Sequence, residues 1–165
     1  MGSKISLLYT EKVLFVAISI IVPVLVYVSS IWTVRKLGGN SDASRYSLLI
    51  ACILFFVSWY LPSPLIEGQN TSFTTHFVGG GLFVSFLWLY FKRAFRWRSA
   101  WWLEGFSLFA LVSALGSVNE LFELLAVKVG LTNILLTDTN WDILANSLGA
   151  LAVFIGYLLY DSRNR

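Results

Sequence analysis

Residues 13–34 read VLFVAISIIVPVLVYVSSIWTV, a run without a charge between Lys12 and Arg35. Crossing the hydrocarbon core of a bilayer as a helix takes roughly 20 apolar residues, and this run meets that length. Pro23 lies inside it, and neighbouring helices can satisfy the carbonyl that a proline frees. The run is too long for the apolar core of a signal peptide and lacks an obvious small-x-small cleavage site, so it is expected to be a retained anchor. Four more stretches follow the same rule, at about Tyr46–Leu61, Phe73–Phe91, Trp101–Val129 and Trp141–Tyr160. Pro62-Ser63-Pro64 ends the second. The expected fold is all-α, a polytopic transmembrane bundle of about five helices forming one domain over residues 1–165.

Composition agrees with that reading. Of the 165 residues, 57% are hydrophobic and 13% charged, against about 25% charged in soluble domains. The net charge of +3 suggests nucleic acid only if position is ignored. Nine of the twelve bases fall in the first loop, the third loop and the C-terminal tail: Arg35, Lys36, Arg45, Lys92, Arg93, Arg96, Arg98, Arg163 and Arg165. Five crossings put all nine on one side. The positive-inside rule makes that side cytoplasmic and the N-terminus external. No nucleic-acid partner is expected, and the partners are membrane lipids. Six of the seven tryptophans, Trp59 among them, fall near segment ends, as an interfacial belt requires. The single Cys52 excludes an internal disulfide and any Cys-based zinc site.

Four of the nine acids crowd into residues 120–142: Glu120, Glu123, Asp138 and Asp142. The topology puts them at the outer end, together with His76 at the start of the third segment. Carboxylates in a membrane are expensive and mark working sites. Glu120 and Glu123 share a helix face at i, i+3. Asp142 and Asn146 do so at i, i+4, and Gly149 lies one turn further. Bland readings stand beside these. Thr139-x-x-Asp142 fits a capping box, Asp138 fits a solvated loop, and Asn146 fits an interhelical hydrogen bond. Lys128 fits either an ion pair with an acid or contact with an anionic ligand. Glu104 suits the start of its helix through the dipole.

The runs Asn119–Glu123 and Asp138–Ala150, with the D-x-x-x-D-x-x-x-N-x-x-G-A spacing, resemble the C-terminal half of VanZ-like membrane proteins. They are still more similar to the related YjdF-type proteins of prokaryotes. The resemblance covers about Phe73 to Gly156 and implies a multi-pass protein of a prokaryotic plasma membrane. VanZ-like proteins are associated with low-level resistance to the glycopeptide teicoplanin. Glu123 stands where that group often carries Gln, which favours a cation or a proton at the site.

Three functions are therefore expected to compete. The first is a metal-assisted hydrolase or transferase acting on a lipid-linked or envelope substrate. Here Glu120, Glu123, Asp138 and Asp142 would hold a divalent cation, His76 and Glu120 would do the chemistry, and Asn146 and Lys128 would bind substrate. The second is a non-enzymatic binder or transporter of a lipid head group, cation or antibiotic. The third is a structural protein whose acids cap helices. Homo-oligomerisation stays open.

Overall fold

A chain segment in hydrocarbon must satisfy its own N–H and C=O groups, so long apolar stretches become helices. The computed structural model describes residues 2–66, 68–131 and 139–163. The helices are α1 (Gly2–Lys36), α2 (Arg45–Ser58), α3 (Phe73–His76), α4 (Phe83–Ala94), α5 (Trp101–Lys128) and α6 (Thr139–Arg163). Between α3 and α4, Phe77–Leu82 form a π-helical turn. Residues 73–94 are thus one continuous helix with a widened turn inside it. A two-residue antiparallel ladder, β1 (Leu65–Ile66) on β2 (Gln69–Asn70), folds the α2–α3 loop. Apart from that ladder the described chain is an all-α bundle.

Four helical stretches are long and apolar enough to cross a membrane: 15–36, 73–94, 101–128 and 139–162. We read the chain as a multi-pass membrane protein. The second expected span is shorter than the sequence suggested. α2 has 14 residues, about 21 Å of helix against a core of roughly 30 Å. It stops at Ser58, before the prolines, and Trp59 and Tyr60 continue as a turn.

The helix ends share one device. α1, α4 and α5 each close with a 6→1 hydrogen bond: Gly39 N–H to Val34 O at 2.8 Å, Trp97 N–H to Lys92 O at 2.8 Å, and Leu131 N–H to Ala126 O at 2.9 Å. The pattern needs a left-handed residue just past the helix. Gly38, Arg96 and Gly130 supply it, with φ of 77°, 52° and 74°.

The basic loops meet at one end. Asn40 N–H donates to Ala94 O at 2.9 Å, Arg93 donates to Ser44 Oγ at 2.9 Å, and Tyr90 donates to Ser41 O at 3.3 Å. Lys92 and Glu104 form a buried ion pair there. Around it, Lys92 Nζ donates to Trp97 O at 3.2 Å. Tyr157 Oη donates to Glu104 Oε2 at 3.1 Å. The Lys92 ammonium also lies over the rings of Trp88 and Tyr157. Glu104 is therefore more than a dipole partner at a helix start. It joins α4, α5 and α6.

The helices also meet through small residues, as membrane packing favours. The π turn and α6 cross where Gly81 faces Gly149. A Cβ on Gly81 would lie 2.7 Å from the Gly149 Cα, and one on Gly149 would lie 2.9 Å from the Gly81 Cα. The π turn is held in part by Ser85, whose hydroxyl donates to the Gly81 carbonyl at 2.7 Å. Cys52 is half-buried, its thiol donating to the Pro23 carbonyl at 3.3 Å.

Removing one member of a buried ion pair leaves the other charge uncompensated, at about 3–5 kcal/mol. Glu104→Ala is expected to lower stability by about that amount, read from unfolding in detergent. Arg98→Ala, at an exposed loop position, is expected to change it little.

Candidate functional site

The Gly81–Gly149 crossing places the two polar helix starts side by side. His76 precedes Gly81 by about one and a half turns, and Asp142 precedes Gly149 by about two. His76 Nε2 lies 3.3 Å from Asp142 Oδ1, with side chains 12% and 2% exposed. Asp142 is thus turned inward to an imidazole, beyond any capping role. α5 brings the other two acids. One carboxylate oxygen from each of Glu120 and Glu123 and one ring nitrogen of His76 lie within 4.8 Å of one another.

Neutral donors hold these carboxylates. Thr139 Oγ1 donates to Glu120 Oε2 at 2.9 Å, and Asn119 Nδ2 donates to Glu123 Oε1 at 2.7 Å. The other Glu120 oxygen is buried and has no hydrogen-bond partner among the described residues. Thr139, expected from sequence in a Thr139-x-x-Asp142 capping box, also reaches across to α5.

Beside the cluster lies a cavity of ≈ 330 Å³. Phe55 and Ser58 of α2, with Trp59 just past its end, line one wall, and α5 lines the other with residues that include Val112, Leu115 and Glu123. His76, Gly79, Gly80, Asp142 and Asn146 also line it, and no Lys or Arg belongs to the lining. Trp59, just past the end of α2, lines this cavity and stacks edge-on with Phe15 at 5.0 Å.

Compared with known protein families, curated proteins and solved structures, the chain matches none. The site is accordingly read from its own geometry.

His76, Glu120, Glu123, Asp142 and Asn146 come together, although His76 was expected to act on substrate and is placed here among the candidate cation ligands. Asp142, expected as a cation ligand, contacts the imidazole. Asp138 lies outside the described residues. Lys128 is exposed and does not line the cavity. Asn119, Ser58 and Thr75 were not singled out from sequence as site residues, and Thr139 was read there only as part of a capping box. Of the first three, Asn119 left a trace, its i, i+4 spacing from Glu123.

The donor set bears on which cation fits. Two carboxylate oxygens and one imidazole nitrogen within 4.8 Å of one another suit Mg²⁺, Ca²⁺ or Mn²⁺ through the oxygens and Zn²⁺ through the mixed N and O set.

Asn146 is 4% exposed, and its Oδ1 is buried with no hydrogen-bond partner among the described residues. A Cβ on Gly80 would land on that oxygen. Gly80→Ala is expected to push Asn146 aside and cost about 1–3 kcal/mol. Gly156→Ala meets open space and is expected to gain up to about 1 kcal/mol from helix propensity. Thermal unfolding of the two variants side by side checks the contrast.

Proposed function

We propose that this protein binds a divalent cation at His76, Glu120 and Glu123 and uses it as a hydrolase or transferase on the head group of a lipid-linked substrate. The observation that carries the reading is the cluster of ligand atoms within 4.8 Å beside a cavity wall with no basic side chain. Three carboxylates around one imidazole at membrane depth are costly unless a cation or protons offset them. Asp142 against His76 follows the usual arrangement in which a carboxylate orients a ligating imidazole.

The chemistry is that of cation-assisted ester cleavage. A cation held by His76, Glu120 and Glu123 would supply Lewis-acid polarisation of a phosphoryl oxygen. A carboxylate, Glu120 or Glu123, takes a proton from water as the water oxygen attacks phosphorus. The ester P–O bond breaks, and the lipid alkoxide leaves with that proton. With the basic end cytoplasmic, the site faces the opposite side of a prokaryotic plasma membrane. The VanZ-like resemblance of residues 119–123 and 138–150 agrees with this setting.

One observation favours binding without turnover. Glu120 and Glu123 already hold neutral donors, Thr139 and Asn119, and such partners support an ionised carboxylate with no metal bound. A cationic head group or antibiotic is the ligand on that reading, and its mark is affinity without product.

The test is cation content and cation-dependent melting of the purified protein. A cation at 100 times its Kd stabilises by about 2.7 kcal/mol. Mg²⁺, Ca²⁺, Mn²⁺ or Zn²⁺ is expected to raise Tm in the wild type and to lose that effect in Glu120→Gln and Glu123→Gln. Absence of any shift in the wild type, or a shift surviving both substitutions, overturns the proposal.

A further inference from the structure

The charges around the cavity do not balance even with the proposed cation bound. A ligating imidazole is neutral, so the Asp142 carboxylate beside His76 keeps its charge. Glu120, Glu123 and Asp142 then face two positive charges, and one negative charge is left over at membrane depth, where charge is expensive. The phosphoryl group of a substrate adds to that excess. No Lys or Arg in the lining answers it.

The wall across from Glu123 suits a positive charge. Phe55 and Trp59 both line the cavity and both are partly exposed, so they present surface to an occupant. Their ring centroids lie 6.0 Å apart at an interplanar angle of 56°, which makes an open aromatic corner. Phe15 meets Trp59 edge-on at 5.0 Å, and Phe83 meets Phe55 at 5.1 Å. Those neighbours hold both rings in place before anything binds, which favours affinity. Aromatic faces attract ammonium groups, and more strongly where water is excluded.

The cavity is open to lipid from the side. α2 packs against α1 and α4, and α5 packs against α4 and α6. The cavity fills the gap left between α2 and α5. Leu115 on its α5 wall is 39% exposed, so the gap reaches the lipid-facing surface of the bundle. A volume of ≈ 330 Å³ lies near the lower limit of ligand cavities, about 300–1,000 Å³. That suits a head group whose chains stay in the bilayer.

We infer that the cavity seats the zwitterionic head group of a lipid, an amino-alcohol phosphate that enters sideways between α2 and α5. Its ammonium lies in the corner between Phe55 and Trp59, and its phosphoryl oxygens face the cation at His76, Glu120 and Glu123. The inference rests on the cation site proposed above and adds the substrate class that this site takes. A head group carrying its own ammonium brings no net negative charge to a wall that has no base. Phe55 and Trp59 are specificity determinants here, with no part in bond making or breaking.

The probe is a short-chain phosphoethanolamine lipid, compared with the same lipid acetylated on nitrogen, which keeps the phosphate and loses the ammonium. Binding to the full chain is measured in maltoside micelles, with and without Mn²⁺. The ammonium form is expected to bind about 5-fold or more tightly than the amide, and more tightly with Mn²⁺ than without. Trp59→Leu is expected to lower that ratio to about 2-fold or less, and Trp59→Phe to keep most of it. Phe55→Leu acts in the same direction as Trp59→Leu, and the cation-dependent Tm shift persists in all three variants. Equal binding of the two probes by the wild type overturns the inference, as does a ratio unchanged in both leucine variants. Weaker binding of the ammonium form once Mn²⁺ is added also overturns it, because the ammonium is then taking the acids in the cation's place. Failure of the cation site is seen separately, as a wild-type Tm that no cation moves.

Discussion

The backbone contact between Gly81 and Gly149 governs the geometry of everything described above. With glycine on both sides, the π turn and α6 approach until the Cα of each lies under 3 Å from where a Cβ on the other would stand. Lipid supplies little hydrophobic drive for helices to associate, so close van der Waals packing has to do it. The crossing then fixes the reach between His76 and Asp142, one to two turns away on the same side. The widened turn at Phe77–Leu82 belongs to the same constraint. π turns are found often at functional sites, and this one supplies the Gly79 and Gly80 floor of the cavity.

The two ends of the bundle treat charge in opposite ways. At the basic end, Lys92 and Glu104 neutralise each other, and Tyr157, Trp97 and Trp88 complete the shell. That end is an internally satisfied joint. At the other end, Glu120, Glu123 and Asp142 meet one imidazole and neutral donors, with no base in the cavity wall. An imbalance of that kind is costly in a membrane. The cation proposed above would offset it.

Much of this was legible in the sequence, for definite physical reasons. Apolar length marks helices, and loop bases mark one end, so the convergence of His76, Glu120, Glu123 and Asp142 followed from topology alone. The short reach of α2 was not legible, because apolar residues continue through Tyr60 and Leu61 after the helix has turned. The Lys92–Glu104 pair was missed because each charge had a local explanation, topology for one and the helix dipole for the other. Only tertiary packing brings them across the intervening loop. The roles of Thr139 and Trp59 were hidden for the same reason. A capping motif and an interfacial tryptophan read alike whether they face water or a neighbouring helix. Lys128 was drawn toward the acids by proximity in sequence, and the helix carries it past them.

The proposed chemistry needs one thing above all: an imidazole and two glutamates sharing a single ion. Pulsed electron paramagnetic resonance of the Mn²⁺-loaded protein addresses this directly, because a nitrogen ligand leaves its own modulation on the electron-spin echo. The account predicts ¹⁴N modulation from one imidazole, lost when His76, the chain's sole histidine, becomes Ala. An echo from tightly bound Mn²⁺ with no nitrogen contribution in the wild type would contradict it.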